Sequence, residues 1–161
     1  MERVSGDIRP ATAADTSAVE QTVHAAYLPW VEIIGMRPLP MEADYVSLIE
    51  AGRIWVLVGG EHGPMDPVHA LIVLIPEDGV LLVENVAVHP SAQAQGIGRR
   101  LMAFAEDRAR SLGLPALRLY TNKKMTSNIA LYESLGYRRT VQETIDGRHA
   151  VHFRKDLLPS N

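Results

Sequence analysis

The run Val86-Ala87-Val88-His89-Pro90, followed two residues later by Gln93-Ala94-Gln95-Gly96-Ile97-Gly98-Arg99-Arg100-Leu101, reads as a strand, a short turn and a helix opened by two glycines. From Ile97 the apolar positions Leu101, Phe104, Ala105 and Leu112 keep helical spacing, and Gly113 with Pro115 after it ends the helix. A helix N-terminus leaves backbone N–H groups unpaired and carries partial positive charge, so it is a natural seat for phosphate or pyrophosphate. Gly96 and Gly98 remove the Cβ atoms that would obstruct a ligand. The amides of residues 95–99 are then open to phosphate, with Arg99 and Arg100 able to add charge. A glycine pair at such a turn also serves plain packing, so the motif alone does not decide between a ligand and a turn.

Working outward, residues 80–88 carry Leu81, Leu82, Val83, Val86 and Val88, and Asp78-Gly79 separates them from an apolar strand at 70–75. Before that lie a polar loop at 59–67 and a further apolar strand at 54–58. Three consecutive strands predict an antiparallel meander with a core on both faces. Toward the N-terminus, residues 7–10 read as a short strand and 12–15 as capping residues for a helix running to about Tyr27, where Pro29 stops it. Residues 30–41, with Gly35, Pro38 and Pro40 among apolar and aromatic residues, form a lid or wall, and 42–51 a short helix ended by Gly52. Toward the C-terminus come a strand at 116–120, a helix at 125–135 stopped by Gly136, and a hairpin of 137–145 with 148–155 around Asp146-Gly147. The order βααβββαβαββ predicts an α/β (α+β) chain.

The 161 residues are 47% hydrophobic and 22% charged, the profile of a globular protein, and predict one domain over 1–161. A chain of this length buries roughly 70% of its unfolded surface, enough for a core without staples. Zero cysteines exclude thiolate metal sites and a cysteine nucleophile, and make a reducing cytoplasm the expectation. A formal charge of -3 lacks the basic excess of a nucleic-acid binder. The longest apolar run, residues 70–76, is far below the ~18 residues of a membrane span, and Met1-Glu2-Arg3 begins no signal-peptide core. Neither a nucleic-acid nor a membrane partner is expected.

Competing motifs fail on the letters. A Walker loop needs Gly-Lys-Ser/Thr where Gly98 is followed by Arg99, and the dinucleotide fingerprint needs a small residue where Leu101 stands. There is no G-x-S-x-G elbow. His149 and His152 lie three apart on a strand, on opposite faces, and cannot share a metal. No metal is expected.

Taken together, Gln93-x-x-Gly96-x-Gly98 after Val86-Ala87-Val88-His89-Pro90, with Ala130-Leu131-Tyr132-Glu133-Ser134-Leu135-Gly136-Tyr137 downstream, resembles the GNAT superfamily of acyl-CoA-dependent N-acyltransferases. The resemblance implies a mixed, mostly antiparallel central sheet flanked by helices, and acetyl-CoA as co-substrate. It also implies that Ala94, Gln95, Gly96, Ile97, Gly98 and Arg99 cradle the pyrophosphate. Val86, Ala87 and Val88 would pair with the pantetheine arm like an added strand, the amide near Val86 polarising the thioester carbonyl. Tyr132 resembles the family's tyrosine that protonates the departing thiolate. The family's asparagine seven residues before that tyrosine is Met125 here; Asn128, one helical turn before Tyr132, is the replacement, with Asn122 a further candidate.

An alkylamine with a pKa near ~10.4 is protonated at neutral pH, so the reaction needs a base. Glu84 interrupts the apolar run two residues before Val86, where many family members carry an acid acting through water; an exposed face residue is the plainer alternative. Tyr27, Trp30, Met36, Met41 and Tyr45 would floor the acceptor pocket, walled by residues 27–45 and the final hairpin, with Glu32, Glu42 and Asp44 drawing in a cation. The acceptor is a small-molecule amine or a protein amine. The family analogy adds a homodimer. A non-catalytic acyl-CoA-binding sensor or regulatory domain of the same fold is the alternative reading, and a nucleotide-binding module the third.

Overall fold

The computed structural model describes residues 6–59 and 67–157. Its elements are β1 (Gly6–Pro10), α1 (Thr16–Ile34), α2 (Tyr45–Glu50), β2 (Ile54–Gly59), β3 (Val68–Glu77), β4 (Val80–Val88), α3 (Ile97–Ser111), β5 (Ala116–Asn122), α4 (Thr126–Ser134), β6 (Arg138–Ile145) and β7 (Arg148–Asp156), with 3₁₀ turns at Ala13–Asp15, Leu39–Glu42 and Pro90–Ala92. The order is the expected βααβββαβαββ. Most of the polar loop expected at 59–67 lies outside the described residues.

The strands form one mixed sheet in the order β1-β2-β3-β4-β5-β7-β6. Every neighbouring pair is antiparallel except β4 and β5. Continuous apolar runs belong in strands covered on both faces, and β3 divides its residues accordingly. Ala70, Ile72 and Leu74 pack with α3 and α4, whereas Leu71 and Val73 pack with α1 and α2.

Two irregularities in β4 open the sheet at its centre. Against β3, Val73 faces Asn85 and Leu74 faces Val83, so Glu84 is the extra residue of a β-bulge. Against β5, pairing spans only Leu81–Val83 with Leu117–Leu119. Beyond Val83 the two strands separate, leaving the β5-facing side of residues 84–88 without a strand partner.

Three expectations need correction. Pro29 does not stop α1, which continues to a left-handed Gly35 at φ 85°. Pro29 faces solvent, so its ring and missing N–H disturb only the outer side, while Trp30 and Ile34 extend the buried stripe of Val19, Val23, Ala26 and Tyr27. Partial burial of two large apolar side chains, each worth ~1.5–3 kcal/mol when complete, works against a proline cost of ~3 kcal/mol. The helix expected at 42–51 starts only at Tyr45, where Asp44 caps it by accepting from Ser47 N at 3.1 Å. Pro38 and Pro40 hold the preceding residues in a 3₁₀ turn. Asn122 ends β5 rather than following it, because β7 pairs with β5 as far as Ala150.

Candidate functional site

The gap between β4 and β5 opens into two cavities. The outer one, about 340 Å³, runs along Val86, Ala87 and Val88 and over the glycine turn to the start of α3. Ala94 (φ 64°) and Gly96 (φ 77°) both adopt left-handed backbone, turning the chain sharply into the helix. A Cβ placed on Gly96 would meet no atom within 4 Å, so its space is open to a ligand. Gly98 is closer-packed: its Cβ would stand 3.4 Å from Leu131 Cδ2. Gln93 Nε2 donates to Val88 O at 3.1 Å, tying the turn to the strand end. The turn therefore offers α3's N-terminal amides, with room, beside an unpaired strand edge, which suits the pyrophosphate and amide-rich arm of an acyl-CoA.

The inner cavity, about 90 Å³, lies between Glu84, Asn85 and Tyr120 on the sheet, the strap at residues 38–43, and the hairpin of β6 and β7. Tyr27, Val86, Met125, Asn128 and Tyr132 border both cavities. These five mark the junction.

Asn85, 5% exposed, organises the junction from beneath. Tyr27 Oη donates to Asn85 Oδ1 at 2.5 Å and also lies 3.2 Å from Val86 O; Asn85 Nδ2 donates to Tyr45 Oη at 3.0 Å, and Tyr45 Oη donates to Pro40 O at 2.5 Å. The hydroxyls of Tyr27 and Tyr45 and the amide of Asn85 all find partners, and the chain of bonds links the strap to the β4 backbone. Burial drives both phenols' pKa upward, so both stay neutral donors. Asn85→Ala strips Tyr27 and Tyr45 of a shared partner and is expected to cost about 1–3 kcal/mol, read as a lower midpoint in denaturant unfolding. An unchanged midpoint would contradict this role.

Glu84 projects from the bulge into the inner cavity. Its Oε2 is buried without a hydrogen-bond partner among the described residues. Desolvation, aided by the charge of Glu77, raises its pKa. Tyr132 is 7% exposed, its ring against Tyr137 and Phe153 at centroid distances of 6.2 and 6.0 Å. Its hydroxyl has no hydrogen-bond partner among the described residues, and desolvation pushes its pKa up to about 12. One wall of the junction thus carries an unpartnered phenol, the other an unpartnered carboxyl.

Other expected residues fall elsewhere. Trp30 borders the outer cavity and not the inner one. Met41 borders neither cavity; partly buried in the 3₁₀ turn set by Pro38 and Pro40, it packs against the α1–α2 core. Gln95 alone of the expected cradle residues does not line the outer cavity. Glu42 pairs with Arg37 at 2.9 Å and Asp44 serves as a cap, its pKa lowered by Ser47, so neither faces the cavity. Arg100 bonds Gly6 O, directing its charge toward β1, while Arg99 bonds Ser134 Oγ at 2.9 Å. His149 lines the inner cavity, whereas His152 pairs with Glu143 at 2.6 Å and lies against the Tyr120 ring. Asn122 borders the inner cavity and Asn128 both. Sequence reasoning missed Tyr120, Ile145 and the hub role of Asn85; only Asn85 left a signal, as a polar residue in an apolar strand. Among the described residues no cluster of three metal-ligating side chains occurs, and no helix is long and apolar enough to cross a membrane.

Residues 21–137 match the family model described as Acetyltransferase (GNAT) family. Over 69 residues the chain is 41% identical to the ribosomal protein bS18-alanine N-acetyltransferase of Escherichia coli, the alignment covering 40% of this chain and 47% of that protein. The chain thus spans about half the length of that relative. The crystal structure of the E. coli ribosomal-protein-S18-alanine N-acetyltransferase superposes with a TM-score of 0.69 at 21% identity, covering 98% of this chain and 97% of that one. A Bacillus subtilis acetyltransferase in complex with CoA superposes with a TM-score of 0.68 at 19% identity, covering 97% of this chain and 100% of that one. At those identities the structures share the fold.

Proposed function

We propose, since this chain belongs to the GNAT family of acetyltransferases, that it is one cytoplasmic catalytic domain over residues 1–161 moving an acetyl group from acetyl-CoA to a primary amine by direct attack in a ternary complex. The observation that carries this reading is the meeting of the two cavities at Tyr27, Val86, Met125, Asn128 and Tyr132. One cavity suits a pyrophosphate and an extended arm; the other presents a carboxyl to a cation. The CoA complex of the B. subtilis relative supports the choice of co-substrate.

The turn amides from Gly96 onward would hold the pyrophosphate, and the free edge of residues 86–88 the arm. Acetyl-CoA supplies an activated thioester. Glu84 takes a proton from the incoming ammonium, leaving a lone pair on nitrogen; its raised pKa brings the carboxyl nearer the amine's own and makes it a better base. A backbone N–H near Val86 stabilises charge growing on the carbonyl oxygen. As the C–N bond forms and the C–S bond breaks, Tyr132 Oη donates to sulfur. A phenol near 12 cannot fully surrender its proton to a thiolate near ~8.5, so its donation is coupled to proton loss from nitrogen. The net change is one N–H proton moved to sulfur and one ammonium proton released. Asn128 would contact the co-substrate at the junction. A non-catalytic sensor is not favoured, because it gives no purpose to an inner cavity with an unpartnered carboxyl.

Glu84→Gln tests this reading. It is expected to lower kcat/KM about 10- to 100-fold and to remove the rise in activity with pH that tracks Glu84 ionisation. Its stability should not fall. Because the folded pKa is raised, the proton is held more tightly in the folded than the unfolded chain; that stability is full below the unfolded carboxyl pKa and lost as pH rises through the folded value. Glutamine, always neutral, keeps it. An unchanged pH profile would remove Glu84 from the mechanism.

A further inference from the structure

Two segments that bond to each other border the inner cavity. The strap that succeeds α1 is folded on itself by the Arg37–Glu42 pair at 2.9 Å, and the β6–β7 hairpin reaches across to meet it. Arg148 Nε and Nη2 both donate to Arg37 O, at 2.9 and 2.6 Å, and Arg148 Nη1 donates to Asp146 O at 3.2 Å. Met36 lies against the hairpin tip, 3.8 Å from where a Gly147 Cβ would stand. Both bridged segments border the cavity and Arg148 itself lines it, so the bridge ties strap to hairpin along the rim of the proposed acceptor pocket, where a polypeptide needs more room than a small amine. Inside, Pro38, Leu39, Leu48 and Ile145 give apolar walls beside the polar Asn122, Asn128 and His149, and Glu84 is the one carboxylate among the described lining residues. Such walls accept a hydrocarbon body with one ammonium at Glu84; a second ammonium meets no second carboxylate among the described lining residues.

We infer that the acceptor is a compact primary amine with an apolar body, and that Arg148 is a specificity-determining positioning residue that latches the hairpin to the strap and closes the cavity against peptides. This rests on the acetyl-transfer reading above. The transferred bond is the same: the amine nitrogen forms the C–N bond, the C–S bond breaks, one N–H proton goes to sulfur, and the ammonium proton leaves through Glu84. Arg148 touches none of these atoms.

The test compares phenethylamine, spermidine and an alanine-initiated hexapeptide as acceptors, reading released CoA with a thiol reagent against which the cysteine-free chain gives no background. The native chain is expected to prefer phenethylamine over both others by about 100-fold in kcat/KM. In Arg148→Ala the phenethylamine-to-peptide ratio should fall about 10-fold, through a raised KM for the small amine more than a changed kcat, with Arg148→Lys in between. Acetyl-CoA binding, titrated calorimetrically, should be the same in all three proteins. A native preference for the peptide or spermidine overturns the inference, as does an unchanged ratio in folded Arg148→Ala. If that variant fails to fold, the native panel decides alone. Acetyl-CoA binding with no acceptor used overturns the acceptor class, whereas no acetyl-CoA binding sinks the acetyl-transfer reading and this inference with it.

Discussion

Tyr132→Phe is expected to lower kcat roughly 10²- to 10³-fold while leaving the affinity for acetyl-CoA unchanged. The substitution removes one oxygen and keeps the ring, so packing against Tyr137 and Phe153 survives. That oxygen makes no hydrogen bond to a described residue, so removing it leaves no protein group unsatisfied. Thermal stability should therefore hold or rise slightly. A loss confined to kcat has then one source, the missing donor to the departing sulfur. Hydroxyls that merely complete a core behave oppositely: their loss lowers stability and spares turnover. The pair of readouts separates the roles, and a kcat within about threefold of the native value would make Tyr132 a core residue.

The second large effect is expected at Gly96. Gly96→Val should weaken acetyl-CoA binding by at least about 100-fold, for two reasons that add. The left-handed φ of 77° costs a β-branched residue about 1–2 kcal/mol, and the chain relieves it by opening the turn that aims the α3 amides. The new side chain also enters the open space of the cradle, where a Cβ meets no protein atom. Gly98 provides the contrast. Its φ is ordinary, and a Cβ would only touch Leu131 Cδ2 at 3.4 Å, so Gly98→Ala should keep most of the binding while Gly98→Val displaces Leu131 from the cavity wall. Equal tolerance at both positions would mean that the turn holds no ligand.

These two residues are legible in the letters alone because their signals are local. A glycine pair between a strand and an amphipathic helix, and a tyrosine four residues before a helix-ending glycine, survive as letters at fixed spacing. Apolar runs in 54–58, 70–75 and 80–88 likewise mark the meander, since burial on both faces leaves no other use for so many consecutive apolar residues. Failures arise where tertiary context overrides local rules. Pro29 signals a helix end, yet it sits on the solvent side of a helix whose other side goes on burying Trp30 and Ile34. Met41 resembles a pocket residue by composition, yet within the 3₁₀ turn set by Pro38 and Pro40 it packs against the core. The role of Arg148 cannot be read from the letters. It depends on a carbonyl 111 positions away, and nothing in either segment reports their meeting.

The bulge at Glu84 lies between these cases. A carboxyl in an apolar strand is visible as an anomaly, but its aim is not, because strand alternation alone cannot say where an extra residue interrupts the ladder. The bulge lets Glu84 face the inner cavity while Asn85 turns beneath it to join Tyr27 and Tyr45.

Whether the outer cavity is a seat for acetyl-CoA is tested most directly by calorimetric titration of the unmodified protein with acetyl-CoA, beside CoA, ATP and NAD. Micromolar binding of acetyl-CoA and CoA, with ATP and NAD at least about tenfold weaker, is the expected result, since only the acyl-CoA arm can use the free edge at residues 86–88. Folded protein that binds no acetyl-CoA, or binds ATP or NAD as well, would contradict it.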